Sequence, residues 1–430
     1  MDLRPLRNLL CFALLPAGIV ARGQEQVPSW THFRGDHLNG ISHETGIPVN
    51  WNDSTNIAWK TAIEGRGWSS PVVLGDQVWV TTASIDGKEM RAVCADFYTG
   101  RLIHNRVLFR PDTVLGKHAV NTYATPTAAI ESGAVYLHFG SYGTACLETA
   151  TGNILWERTD MRCEHIQGPG SSLLIYKDKL IVHMEGSDIQ YIAALDKRTG
   201  ETLWRTERPR ELYDSLEYIG KKAYVTPIIV TVSGRDLLIS NGSAACIAYD
   251  PDTGQEVWRI VQGEDSTIAM PTESAGTVFF YTGFITDGSG GKQAELLAVN
   301  PDGSGDIGKT HVLWRLSSPI LQLLTPLVMD GLLYTVDSEG WMRCLDAATG
   351  RVLGERKMKG KFHSSPVCAG DHIYFSSTNG TTYVVGAGSE LSIISENRLE
   401  GEIWATPAIA GGAIYIRTSE YLYKIASTGR

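Results

Sequence analysis

Ala194-Leu195-Asp196-Lys197-Arg198-Thr199-Gly200-Glu201-Thr202-Leu203-Trp204 is the stretch on which the fold turns. An apolar run ends in Asp, two residues intervene before Thr-Gly, and a Trp stands four residues after the Gly. An Asp can accept backbone N–H groups just ahead of it, and Gly supplies a positive φ, so the phrase reads as a tight turn between two strands. It recurs as Ala248-Tyr249-Asp250 with Thr253-Gly254 and Trp258, and as Cys146-Leu147-Glu148 with Thr151-Gly152 and Trp156. Eroded copies are Asp96 with Thr99-Gly100 and His104 in the Trp place, and Asp346 with Thr349-Gly350 and Gly354 there. A stretched copy runs from Asn300 to Trp314 across the Gly-rich insert 303–308, and Gly386 marks the weakest.

Between these turns lies a second phrase, a small or hydroxylated residue and then Pro, opening an apolar run. It reads Ser70-Pro71, Thr125-Pro126, Thr226-Pro227, Met270-Pro271, Thr325-Pro326, Ser365-Pro366 and Thr406-Pro407, with Ser171-Ser172-Leu173 in the remaining place. Pro lacks an N–H and suits the first residue of a strand. Short alternating runs follow, such as Val78-Trp79-Val80 and Ile373-Tyr374-Phe375, and each reads as a second strand. Four short antiparallel strands per repeat make a propeller blade. The fold class is therefore all-β, an eight-bladed β-propeller. The last copy, Trp404 to Ile425, lacks a fourth strand. Residues 56–63, with Trp59 and no turn phrase before it, are expected to supply that strand and close the ring.

The first residues read as a targeting segment. Arg4 and Arg7 precede the apolar run Asn8 to Val20, and Ala21-Arg22-Gly23 resembles a cleavage site. The expected division is a signal peptide at 1–23, an extended N-terminal segment at 24–55 and the propeller at 56–430, exported to the periplasm or beyond and monomeric. Cleavage would remove three arginines and one aspartate and make the formal charge of −9 more negative by two. An acidic chain with no Lys/Arg run excludes nucleic acid as a partner. The mature chain contains no apolar run long enough to span a membrane. Cys94, Cys146 and Cys344 occupy equivalent places in different repeats, so they read as small buried hydrophobes rather than disulfide partners. Arg205 to Lys222 reads as a loop with room for a helical turn, and Asp287 to Gly291 as a flexible loop tip.

The Asp-x-x-Thr-Gly-x-x-x-Trp phrase resembles the tryptophan-docking repeat of the pyrroloquinoline-quinone (PQQ)-like propellers. The resemblance spans nearly all of residues 56–430. One branch of that family oxidises alcohols or sugars with PQQ and Ca²⁺. Another resembles the scaffold lipoprotein of the bacterial barrel-assembly machinery, which binds proteins and no cofactor. This chain lacks the adjacent cysteine pair and the long insertions of the first branch, and the lipobox cysteine of the second. The resemblance implies a cofactor-free binding or scaffold module for cell-envelope proteins, with a PQQ/Ca²⁺-dependent dehydrogenase as the alternative.

In a propeller the first strands line the central channel. The residue three before each strand-opening Pro should sit at one mouth, and that column reads Trp68, Tyr123, Gly170, Tyr224, Ile268, Leu323, His363 and Trp404. Aromatics and hydroxyls around a mouth suit an amphipathic ligand or a peptide. His118, Asn121 and His165 lie on loops just before strand starts, and Glu273 follows one. The expected ligand- or partner-binding set is thus Trp68, His118, Asn121, Tyr123, His165, Tyr224, Glu273, His363 and Trp404. No residue is expected to be catalytic: there is no Ser/His/Asp signature, and Glu273 is the carboxylate that a dehydrogenase would need. A metal is not expected, because the His spacing gives no local chelate. The acidic turns at Asp250-Pro251-Asp252 and Asn300 to Asp306 read as turns rather than Ca²⁺ loops.

Overall fold

The computed structural model describes residues 27–263, 267–286, 292–318 and 323–427. The signal segment and the loop tip at 287–291 lie outside the described residues. Eight sheets follow one another around a ring, each an antiparallel run of four strands from channel to rim. Blade 1 comprises Val72–Leu74, Gln77–Ala83, Met90–Asp96 and Leu102–Phe109, and its pattern recurs around the ring. Blade 8 comprises Ala408–Ala410, Ala413–Arg417 and Tyr421–Ala426, and its outer strand is Ile57–Ala62. The pairing is antiparallel, with Ile57 opposite Ile425 and Ala62 opposite Tyr421. The N-terminal strand thus closes the ring as the repeat count requires.

The repeat phrase acquires its meaning between blades. In blade 3 the Asp196 carboxylate accepts the N–H groups of Arg198 and Thr199, which sets the turn. Gly200 follows at φ +76°, and the Trp156 ring of blade 2 lies against it so closely that a Cβ there would stand 2.6 Å from the ring. Trp156 Nε1 donates to the Lys197 carbonyl of the same turn at 2.9 Å. Trp59, Trp204 and Trp314 dock in the same way on the carbonyls of Phe97, Pro251 and Ala347. His104 replaces Trp in blade 1 and reaches the Thr149 carbonyl at 3.2 Å. Trp258 is fully buried beneath the 303–308 insert, whose Gly305 pairs with it. The docked rings join neighbouring blades, and each buries ~200 Å².

Blade 7 carries Ser395 where the Trp should be. Trp51 of the N-terminal segment takes over, stacking on Tyr374 at 6.3 Å, the counterpart of Tyr136 on which Trp156 packs at a tilt. Asn397 holds it there by accepting the Trp51 N–H and donating to the Val49 carbonyl.

The N-terminal segment also crosses the channel. Ser29–Trp30 pairs with the inner strand of blade 1, and Ile41–Ser42 with that of blade 7. Between them, the Thr31 carbonyl accepts the Ile130 N–H of blade 2, and His32 Nε2 accepts the Ile175 N–H of blade 3. Arg34, fully buried, donates to the Pro326 and Pro366 carbonyls of blades 6 and 7. The channel is therefore stoppered from one side. The excursion between blades 3 and 4 holds two 3-10 turns, Arg210–Leu212 and Tyr218–Lys221. It is pinned by Arg208 and Tyr213 to the buried carboxylate of Glu185. All six cysteines of the described residues are free and buried.

Candidate functional site

The strand-opening hydroxyls staple blade to blade. Ser70 N–H donates to Thr127 Oγ1, Thr127 N–H to Ser172 Oγ, and Ser172 N–H to Thr226 Oγ1, at 2.9 to 3.0 Å. The belt resumes with Met270 N–H to Thr325 Oγ1, Thr325 N–H to Ser365 Oγ, and Ser365 N–H to Thr406 Oγ1. It breaks where blade 5 offers Met270, which has no hydroxyl, and between blades 8 and 1, where Ser70 Oγ has no partner among the described residues.

These residues ring a cup of about 210 Å³ at the mouth where the inner strands begin. Its floor includes Phe33, next to the residue that stoppers the channel, and its lining includes Trp68, His118, Asn121, Gln167, Tyr224, His363 and Trp404. Three of these rings form a continuous stack along the wall. His363 lies 4.4 Å from Trp404, and Trp404 lies 5.2 Å from Trp68. Arg66 caps the far face of Trp68 at 5.0 Å. The indole N–H groups are anchored, Trp68 to the Val120 carbonyl and Trp404 to Glu402. Burial and the nearby Lys361 hold the His363 imidazole below its usual pKa, so it is neutral at pH 7. On the opposite wall Tyr224 donates to Gln167 Oε1 and accepts from the buried Lys222. Asn121 is committed to the frame, donating to the Gln167 and Pro169 carbonyls.

Of the nine residues expected at the mouth, six line the cup: Trp68, His118, Asn121, Tyr224, His363 and Trp404. Tyr123 does not. In blade 2 the inner strand begins at Ala129, so Thr127 holds the belt place and Thr125 the mouth place. The Thr125-Pro126 phrase therefore comes two residues early, and Tyr123 packs instead on Tyr142 and under Lys117. His165 faces a separate cavity between blades 2 and 3, where it meets the Cys163 thiol at 3.3 Å. Burial drives its pKa down to about 4 and the thiol's upward, so neither is poised for proton transfer near neutrality. Glu273 lies near the other end of the channel, lining a cavity with His32 and Asp36, and its carboxylate accepts the Gly276 N–H of its own hairpin. An inner strand of three residues is short enough that two steps past the Pro cross from one mouth to the other. Sequence reading missed Phe33 and Thr127. Phe33 belongs to no repeat, and Thr127 is hidden by the misplaced Pro.

PQQ and Ca²⁺ do not fit this cup. Among the described lining residues none is a carboxylate that could ligate the ion. The cavity falls below the ~300 Å³ at which small-molecule pockets begin. The inner faces of Trp68 and Trp404 are turned on each other, so neither is a platform for a quinone. The acidic turns are engaged locally: Asp252 pairs with Lys179 at 3.0 Å, and Asp302 accepts from Ser233.

Comparison with known proteins places this geometry. No curated protein sequence matches the chain. Among solved structures, BamB from Moraxella catarrhalis superposes with a TM-score of 0.59 at 15% identity, over 87% of this chain and 98% of that one. A europium-containing methanol dehydrogenase gives a TM-score of 0.45 at 13% identity, over 84% and 89%. The fold is the shared element in the first of these. Residues 43–166 and 188–426 match the family model described as outer membrane protein assembly factor BamB, and the chain belongs to that family.

Proposed function

We propose that this chain is a cofactor-free binding propeller of the bacterial cell envelope, which holds a protein partner at the mouth formed by the strand starts. The observation that carries the reading is the size and chemistry of the cup. At about 210 Å³, walled by a Trp-Trp-His stack and lined with hydroxyls, it has room for one large side chain and little more. Interfaces concentrate their energy in such anchors, where an aromatic or aliphatic group fills a dry pocket within a polar rim. Family membership supports the envelope setting, since the family is described as an outer-membrane assembly factor. The rim is equipped for the polar part, with Arg66, Glu402, Lys361 and Glu339 exposed in ion pairs around it.

The test is a photo-crosslinking residue at Val120 or Ile268, both exposed at the cup's edge, in the full chain within envelope extracts. A protein adduct is expected, and a Trp68→Ala/Trp404→Ala variant should lose it while keeping its fold. Titration of the purified chain with PQQ plus Ca²⁺ is expected to give no heat. Sub-micromolar binding of that pair would overturn the proposal.

A further inference from the structure

Among the described residues three arginines are fully buried: Arg34, Arg208 and Arg417. Arg208 is treated as buried cations usually are, with the Glu185 carboxylate 3.4 Å away. The other two lie directly behind the cup, and among the described residues neither has an ion-pair partner. Arg34 donates to the carbonyls of Pro326 and Pro366, one residue beyond the cup hydroxyls Thr325 and Ser365. Arg417 donates to Ser69 Oγ and the Thr81 carbonyl, and Ser69 stands between cup residues Trp68 and Ser70. Desolvation without a carboxylate lowers both guanidinium pKa values to about 9, yet both stay charged at pH 7.

The cup in front of them is rich in donors. Six of its hydroxyls accept a backbone N–H from the neighbouring blade and donate to no described atom. An accepted N–H polarises such a hydroxyl and strengthens the bond it can donate. Ser70 also lines the cup and is 2% exposed, and its buried Oγ has no partner among the described residues. No described lining residue carries negative charge.

We infer that the cup selects an anionic ligand group, a carboxylate carried on an apolar body of side-chain size, with the hydroxyl belt donating to its oxygens and Arg34 and Arg417 balancing its charge from behind the wall. The apolar body would lie on the Trp-His stack. This rests on the reading that the mouth is the binding surface, and it adds the chemistry of what enters.

The probes are phenylacetate and its neutral isostere phenylacetamide, titrated at pH 7 into the full chain by calorimetry. The acid is expected to bind about tenfold more tightly than the amide, with the preference shrinking as salt is raised. Ser70→Ala is the clean variant, because the Oγ it removes holds nothing in the fold. It should weaken the acid several-fold and the amide less, narrowing the preference between them, and leave Tm unchanged. An amide that binds as well as the acid overturns the inference while leaving the mouth as a binding surface. A protein that binds neither probe also overturns it, and the crosslinking result then stands or falls independently.

Discussion

At Gly200 the backbone holds φ +76°, with the Trp156 ring pressed against the space where a side chain would start. Gly200→Ala meets both a conformational penalty and a collision, and is expected to cost about 2–3 kcal/mol, read as a drop in the denaturant midpoint. Trp156→Ala removes the other half of the contact and should cost about 3–5 kcal/mol. Buried histidines set a second residue-scale property. Desolvation lowers His32 and His165 to about 4 and His138 to about 3. An unfolded His titrates near 6.5, so below that pH the unfolded chain binds more protons and stability falls as pH drops from about 6.5 toward 4. Each of the three should cost about 1–2 kcal/mol at pH 5 relative to pH 7.5. Melting temperatures across that range check this, and an acid-resistant protein would contradict it.

The blade-to-blade staple is a property of the strand start. Ser365→Ala leaves the buried Thr325 N–H without its acceptor and should destabilise by about 1–3 kcal/mol. Ser70→Ala, the same substitution where the belt is open, should cost almost nothing, and paired thermal melts separate the two. How much of this was legible follows from the same strands. Turn, docking Trp and ring order could be read because each recurs, and a repeat exposes its own rules. The site could be read only where the register held. At Thr125 a Pro two residues early displaced the expected column onto Tyr123, since local sequence does not reveal which residue the neighbouring blade engages. Glu273 was misplaced because the inner strand spans the channel in three residues. Arg34, Phe33 and Trp51 were illegible for a different reason: they lie in a segment with no repeat counterpart, and their roles exist only in contact with distant blades.

For the molecule as a whole, the N-terminal segment performs two separable tasks. Residues 57–62 complete a sheet, whereas residues 29–42 stopper the channel. Removing residues 24–63 should leave blade 8 with an open edge and give aggregation, detectable by light scattering. Removing only residues up to 42 should keep a monomeric ring of lower Tm and lose the cup floor at Phe33, abolishing binding of the phenylacetate probe.

The pairing of Ile57 with Ile425 also has a kinetic meaning. The strand Ile57–Ala62, the first of the blade strands to leave the ribosome, finds its partner only after the seven other blades have appeared. No intermediate length of chain can form the closed ring, and loop closure over so long a separation is slow. A chain delivered through a membrane N-terminus first would therefore stay unclosed until blade 8 had crossed, and its ring-closing step would belong to the compartment that receives it.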